Sequence, residues 1–378
     1  KRLKKCILCK GDLSKLFTIE NMPSSAQDIP DLEELESDKP LTVSLCQCRA
    51  CSLVQLDSEA VYYYKDVIRA SSISSTMREL RLKQYKHFAK KYNLHSKKII
   101  EIGCGGGEFL ELWKEVGVEA YGVENKKELV EKAKKAGLSV EEDFPKSQEH
   151  KFKAAPFAAF CSFNFLEHQP DPLVYLRAAA YNLEEGGYGL ITVPSFEYIL
   201  ENKSFYEIIP DHIAYYTFES LELALNLAGF KVLEKEMINR DTLSFIVKKK
   251  SLVNVEDIKK QKEVISTEIL SFVQACKKEG KTLAIWGASH QGFTLCATLG
   301  LEWFVEYIID SAKFKQGLYA PASHIKIIAP EDAYKNPVDV IIIVAPGYTK
   351  EISSIIRKNF TTPVEIYTLM TDRLTKCD

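Results

Sequence analysis

The stretch that most constrains this chain is Lys98–Phe109, which reads KIIEIGCGGGEF. The β-branched residues Ile99, Ile100 and Ile102 run into Gly103, Cys104, Gly105, Gly106 and Gly107, and a helical pattern begins at Glu108. A short apolar run that stops on clustered glycines and gives way to a helical period reads as a buried strand, a tight turn and a helix. Glycine permits positive φ and lets a ligand approach the backbone without a Cβ in the way, and the free N–H groups of a following helix point at the same place. A dinucleotide fingerprint needs a third glycine at 108, where the chain has Glu108. An acid, Glu101, precedes the turn, and a second acid, Glu124, ends the next apolar run. A carboxylate at the tip of a second strand can hold both hydroxyls of a ribose. An NAD-binding fold is the competing assignment.

Apolar runs and helical periods alternate on either side of this turn, as a parallel sheet requires, so the fold class is α/β. Phe157–Phe163 reads as the fourth strand and leads into Asn164 and His168. Open α/β sheets bind ligands at the carboxyl ends of their strands, which places Asn164, His168 and the Pro210-Asp211-His212 turn on the ligand side. At 378 residues the chain exceeds one core. We expect three parts: a module at 1–75, the glycine-turn domain at 76–250, and a second, smaller Rossmann-like α/β domain at 251–378. The last begins after a long charged helix and opens with Gly287-Ala-Ser-His290-Gln-Gly292. That turn lacks the Lys-Ser/Thr of a phosphate loop and the middle glycine of a dinucleotide fingerprint.

The cysteines fall in groups. Cys6 and Cys9 form one C-x-x-C and Cys48 and Cys51 another, a spacing suited to a four-thiolate Zn²⁺ site with metal–sulfur bonds of about 2.3 Å. Cys46 is a spare that can stand in for Cys48. Four protein ligands leave no open position, so the metal is expected to be structural. A net charge of −2 gives no electrostatic case for nucleic acid or an anionic membrane. No run approaches the roughly 18 apolar residues of a membrane span. No hydrophobic leader opens the sequence as given, and the expected location is cytoplasmic, as a monomer or weak homodimer.

The E-x-G-x-G turn at 101–105 with Glu124 resembles the class I S-adenosylmethionine (SAM) methyltransferases. Three further features extend the resemblance to nearly the whole chain: the cysteine knuckles, Asn164-x-x-x-His168, and Asp211-His212. With the G-A-S-x-x-G at 287–292 they make the chain similar to the zinc-containing nucleotide-sugar C-methyltransferases. The resemblance implies that Glu101, Gly103, Cys104, Gly105, Glu124, Asp143, Phe144 and Phe163 hold SAM. It implies that His212 is the general base beside Asp211, with Asn164 and His168 around the sugar hydroxyls and keto oxygen. The acceptor would be a nucleotide-linked 4-keto-deoxysugar, whose acidic C–H requires a base and an oxyanion stabiliser. Tyr64, Arg69 and Tyr215 are candidate sugar contacts, and Gly287, His290, Gly292 and Lys315 candidates for its nucleotide end. The sequence departs from the family at Ile209, where the family has a tyrosine, and at Arg69, near the place of another. Methylation of a sugar hydroxyl or amine remains an alternative chemistry, and a zinc-stabilised, non-catalytic SAM-binding module an alternative function.

Overall fold

The computed structural model describes residues 2–68 and 72–378. The chain divides into two units, Lys1–Leu252 and Val253–Asp378. In the first, β1 (Leu13–Met22), β2 (Leu41–Cys48) and β3 (Val54–Leu56) make an antiparallel sheet. Helix α1 (Ser75–Lys91) follows, its start capped by Ser74, whose hydroxyl accepts the Met77 N–H.

The isoleucine run is β4 (Lys98–Ile102). Beyond it come β5 (Glu119–Glu124), α2 (Lys127–Lys135), β6 (Ser139–Glu142) and β7 (Phe157–Phe163). Then follow α3 (Pro172–Tyr181), β8 (Leu183–Pro194), α4 (Phe196–Asn202), β9 (Ala214–Tyr215), α5 (Phe218–Leu227), β10 (Phe230–Ile238) and β11 (Thr242–Lys249). Seven strands form one sheet in the order β10-β11-β8-β7-β4-β5-β6, with β11 antiparallel to both neighbours. All seven residues of β7 are buried, because helices cover both faces and polar alternation has no place. Ile100 and Ile102 enter one core with Phe157 and Phe160, and Ile99 enters the other with Cys161 and Phe163. The short β9 pairs with β3, so the N-terminal sheet includes a strand from beyond residue 210.

Two local expectations are corrected. The segment after the glycine turn is a 3₁₀ helix, Leu110–Glu115, where an α-helix was expected. Phe109, Leu110, Leu112 and Trp113 are all buried, and a three-residue turn aligns Leu110 with Trp113 in one row. Trp113 stacks on Tyr85 of α1 at 3.5 Å. Gly186-Gly187, a pair that reads in the sequence as the stop of the preceding helix, lie inside β8. Gly189 of the same strand lets the Phe160 ring lie against the backbone, since a Cβ there would stand 2.2 Å from it.

In the second unit α6 (Glu256–Lys278) precedes β12 (Leu283–Trp286), α7 (His290–Leu299), β13 (Val305–Ile309) and β14 (Ile327–Ile328). Helix α8 (Pro330–Lys335), β15 (Val340–Ile343), α9 (Thr349–Asn359), β16 (Glu365–Leu369) and β17 (Leu374–Lys376) complete it. The sheet order is β14-β13-β12-β15-β16-β17, parallel except for β17, an antiparallel edge with no sequence signal.

Candidate active site

The glycine turn and the tip of β5 form the first half of the site. Gly103, Gly105 and Gly107 all have positive φ. A Cβ on Gly103 would stand 2.6 Å from the Phe165 ring and 2.8 Å from Val67. Glu124 is buried, and its carboxylate accepts backbone N–H groups from Gly105 at 3.2 Å, Val67 at 3.3 Å and Lys126 at 2.6 Å. Burial pushes its carboxyl above the usual range, and the three N–H donors pull the other way. Glu101 is fully buried in β4, and the Cys104 thiol fills the space above Gly122. Phe163 lies edge-on to Phe109 and under the Arg81 guanidinium, 3.7 Å from its ring centroid. Asp143 follows β6; one oxygen accepts the Phe144 N–H and the other lies 2.8 Å from His150 Nε2. Phe144 packs edge-on against Tyr64 and Phe165, which sets Tyr64 on this side.

The second half comes from the ends of β7 and β8 and the turn before β9. Asn164 has φ 47°, a strained value of the kind that clusters at functional sites. Its Oδ1 accepts the Thr192 hydroxyl at 2.9 Å. A cavity of about 430 Å³ is lined by Asn164, His212 and Tyr215, and also by Tyr198, Glu207 and Asp241. A second, of about 340 Å³, is lined by Val67, Arg81, Phe163, Phe165 and His168. Asn164 and Met77 border both cavities, so the two halves meet at the tip of β7.

His168 and His212 stand with ring centroids 4.6 Å apart, nearly perpendicular. Desolvation lowers His168 to about 4, and desolvation plus the neighbouring imidazole lowers His212 to about 3, so both rings are neutral at pH 7. Asp211 is buried, and its carboxylate accepts the Tyr63 hydroxyl at 2.5 Å and the Ala26 N–H at 2.8 Å. His168 bonds to the Asp211 backbone, and Glu167 Oε1 lies 3.6 Å from His168 Nε2. The Tyr215 hydroxyl is tied to the Ile209 backbone.

Tyr63, Ala26, Glu167 and the cavity residues Tyr198, Glu207 and Asp241 were not anticipated. Tyr63 and Ala26 act across separations of 148 and 185 residues, which no local pattern encodes. Arg69 lies outside the described residues. Gly287, His290, Gly292 and Lys315 gather at one loop of the second unit. A Cβ on Gly287 would stand 2.4 Å from the Val344 carbonyl oxygen, Ser289 caps α7, and Lys315 Nζ donates to the Ala288 carbonyl at 2.7 Å.

The Cys6, Cys9, Cys48 and Cys51 sulfurs all lie within 4.8 Å of one another. Cys6 and Cys51 approach to 3.5 Å and Cys9 and Cys48 to 3.4 Å, close to the edge of a tetrahedron around one zinc. Leu8, Ala50 and Cys51 aim backbone N–H groups at the sulfurs. Gly11 completes the cradle, since a Cβ there would stand 2.9 Å from the Cys48 sulfur. The donor set fits Zn²⁺, and Cys46 stands outside it, its thiol 3.7 Å from the Ser44 carbonyl oxygen.

Residues 75–235 match a methyltransferase domain family, and residues 246–363 match the C-methyltransferase C-terminal domain. The C-methyltransferase NovU of Streptomyces niveus is 23% identical over 287 residues, 67% of each chain. Residues 75–235 are thus a methyltransferase domain, and the matches together support a SAM-dependent methyltransferase. A ubiquinone biosynthesis O-methyltransferase of Xylella fastidiosa is 29% identical over 106 residues, 27% of this methyltransferase and 43% of the relative, so the match spans less than half of that enzyme. Among solved structures, a SAM-dependent methyltransferase from Clostridium acetobutylicum aligns with 14% identity and a TM-score of 0.38, over 50% of this chain and 97% of that one. The glycine turn, Glu124, Asn164 and His212 all fall inside the matched methyltransferase domain.

Proposed function

We propose that the protein methylates carbon in a nucleotide-linked 4-keto-deoxysugar, with His212 as the general base and Zn²⁺ as a structural ion. The observation that carries this is the His212 imidazole at a cavity that meets, at Asn164, the cavity lined by Val67 and Phe165, the two side chains packed over Gly103. The C-methyltransferase relative and the C-terminal family support the choice of carbon, and the mix of polar groups (Asn164, Glu207, Asp241) with aromatic ones (Tyr198, Tyr215) around the cavity suits a sugar.

A neutral His212 ring nitrogen takes the proton from the carbon beside the ketone, and the electron pair moves onto the keto oxygen. Asn164 and His168 would face that oxygen, and the charge arriving there would support the imidazolium that burial alone disfavours. Held by Gly103, Gly105 and Glu124, SAM would supply its methyl to that carbon, the carbon–sulfur electron pair staying with the departing thioether.

The test uses a thymidine-diphosphate-linked 4-keto-6-deoxyhexose in deuterated water. The C–H beside the ketone exchanges with the wild type and stops exchanging with His212→Ala, while S-adenosylhomocysteine still binds the variant. Methylation without exchange would overturn carbon as the target. For O-methylation, a hydroxyl proton would go to the same imidazole.

A further inference from the structure

The chain between the cysteine knuckles and α1 runs from the acceptor turn to the glycine turn, and several contacts pin it. The Tyr63 hydroxyl donates to Asp211 Oδ2 at 2.5 Å. The Tyr64 carbonyl accepts Gln169 Nε2 at 3.2 Å, and Asp66 Oδ1 accepts Asn125 Nδ2 at 2.7 Å. The Val67 N–H donates to Glu124 Oε1, and the Val67 side chain is buried against Gly103. One end of this strap therefore holds the buried carboxylate beside the catalytic imidazoles. The other holds the carboxylate that would hold the ribose.

We propose that Tyr63–Val67 is a strap that occupies the ribose seat on Glu124 and is tied to the acceptor turn by Tyr63, a positioning residue that acts through Asp211. Binding the cofactor and loosening the acceptor turn are then one event. Of the three N–H donors on Glu124, Gly105 belongs to the glycine turn and Lys126 lies two residues on in the chain. Among the described residues only Val67 is brought there by a separate segment, so it is the donor that ribose hydroxyls can replace. When Val67 leaves, it uncovers Gly103, where a Cβ would meet both Val67 and Phe165. The strap's hold depends on the Tyr63–Asp211 bond, which is charge-assisted and half-buried and so of the stronger kind. Coupling of this sort is reciprocal: whatever holds the strap down weakens the cofactor, and whatever frees it strengthens the cofactor. Tyr63→Phe deletes one hydroxyl and keeps the ring, so it favours the released strap.

This rests on Glu124 as the ribose ligand, and the experiment separates the two claims. S-adenosylhomocysteine is titrated calorimetrically into the full chain. Glu124→Ala is expected to lose at least tenfold in affinity, and affinity equal to wild type would defeat the ribose assignment itself. With that assignment intact, Tyr63→Phe is expected to bind roughly ten- to hundredfold more tightly, the range one hydrogen bond to a charged group allows. Asp66→Ala, which frees the strap at its contact with Asn125, is expected to move the same way. Hydrogen exchange gives the second readout. Adding S-adenosylhomocysteine to the wild type should speed exchange of the Ala26 amide, which Asp211 holds, and should add nothing in Tyr63→Phe, where that exchange is already fast. Weaker or unchanged binding in both variants overturns the strap. Tighter binding with no change at Ala26 overturns its link to the acceptor turn.

Discussion

His168 and His212 face each other at 4.6 Å, burial disfavours the charged form of each ring, and His168 makes His212 harder to charge. Because kcat/KM reports the free enzyme's ionisations, its acid limb is expected below pH 5, where an ordinary histidine would place it near 6.5. A pH series with the nucleotide sugar checks this, and a limb near 6.5 contradicts it. The same shift acts on stability. The unfolded chain takes up its histidine protons below about pH 6.5 while the folded chain does so only near 4 and 3, so stability is lost as pH falls through that interval. His168→Asn should flatten the loss between pH 6.5 and 4 in urea titrations. Chain position was enough to bring both imidazoles to the ligand ends of the strands. It could not show that the Asp211 carboxylate is held by Tyr63 and Ala26, because those contacts close loops of 148 and 185 residues.

Among the elements, the strand–glycine turn was legible because three constraints converge on it: a β-branched run, consecutive glycines and an acid on each of two neighbouring strands. Gly105→Arg, at φ 57° and with its N–H on Glu124, should abolish S-adenosylhomocysteine binding in calorimetry. Strand β8 was less legible, since Gly186-Gly187 carries a turn signal and pairing from both sides, Tyr188 against Lys248 of β11 and Ala159 of β7, keeps the chain extended. Gly189→Ala would drive a methyl into the fully buried Phe160 ring at 2.2 Å, and overpacking of this kind costs about 1–3 kcal/mol. An unfolding free energy lowered by that amount in urea titration checks it. The 3₁₀ helix at Leu110–Glu115 escaped the helical period because its buried residues are too crowded for one α-helical face.

For the molecule as a whole, the cysteine cluster is the cheapest feature to test. About one zinc per chain is expected by elemental analysis, and Cys9→Ser, at the exposed ligand, should lose it and lower the melting temperature. The spacing of the cysteines foretold the cluster, but nothing in it foretold that the adjoining sheet borrows Ala214–Tyr215 from just past His212. The borrowed strand sets a limit on dissection. A shortened gene beginning at Ser75, where the matched methyltransferase domain starts, would keep every residue of the seven-stranded sheet. It would nonetheless strand a two-residue ribbon without its neighbour, bare the faces of Ile213 and Tyr215 to water, and leave the imidazoles standing on an unsupported ledge.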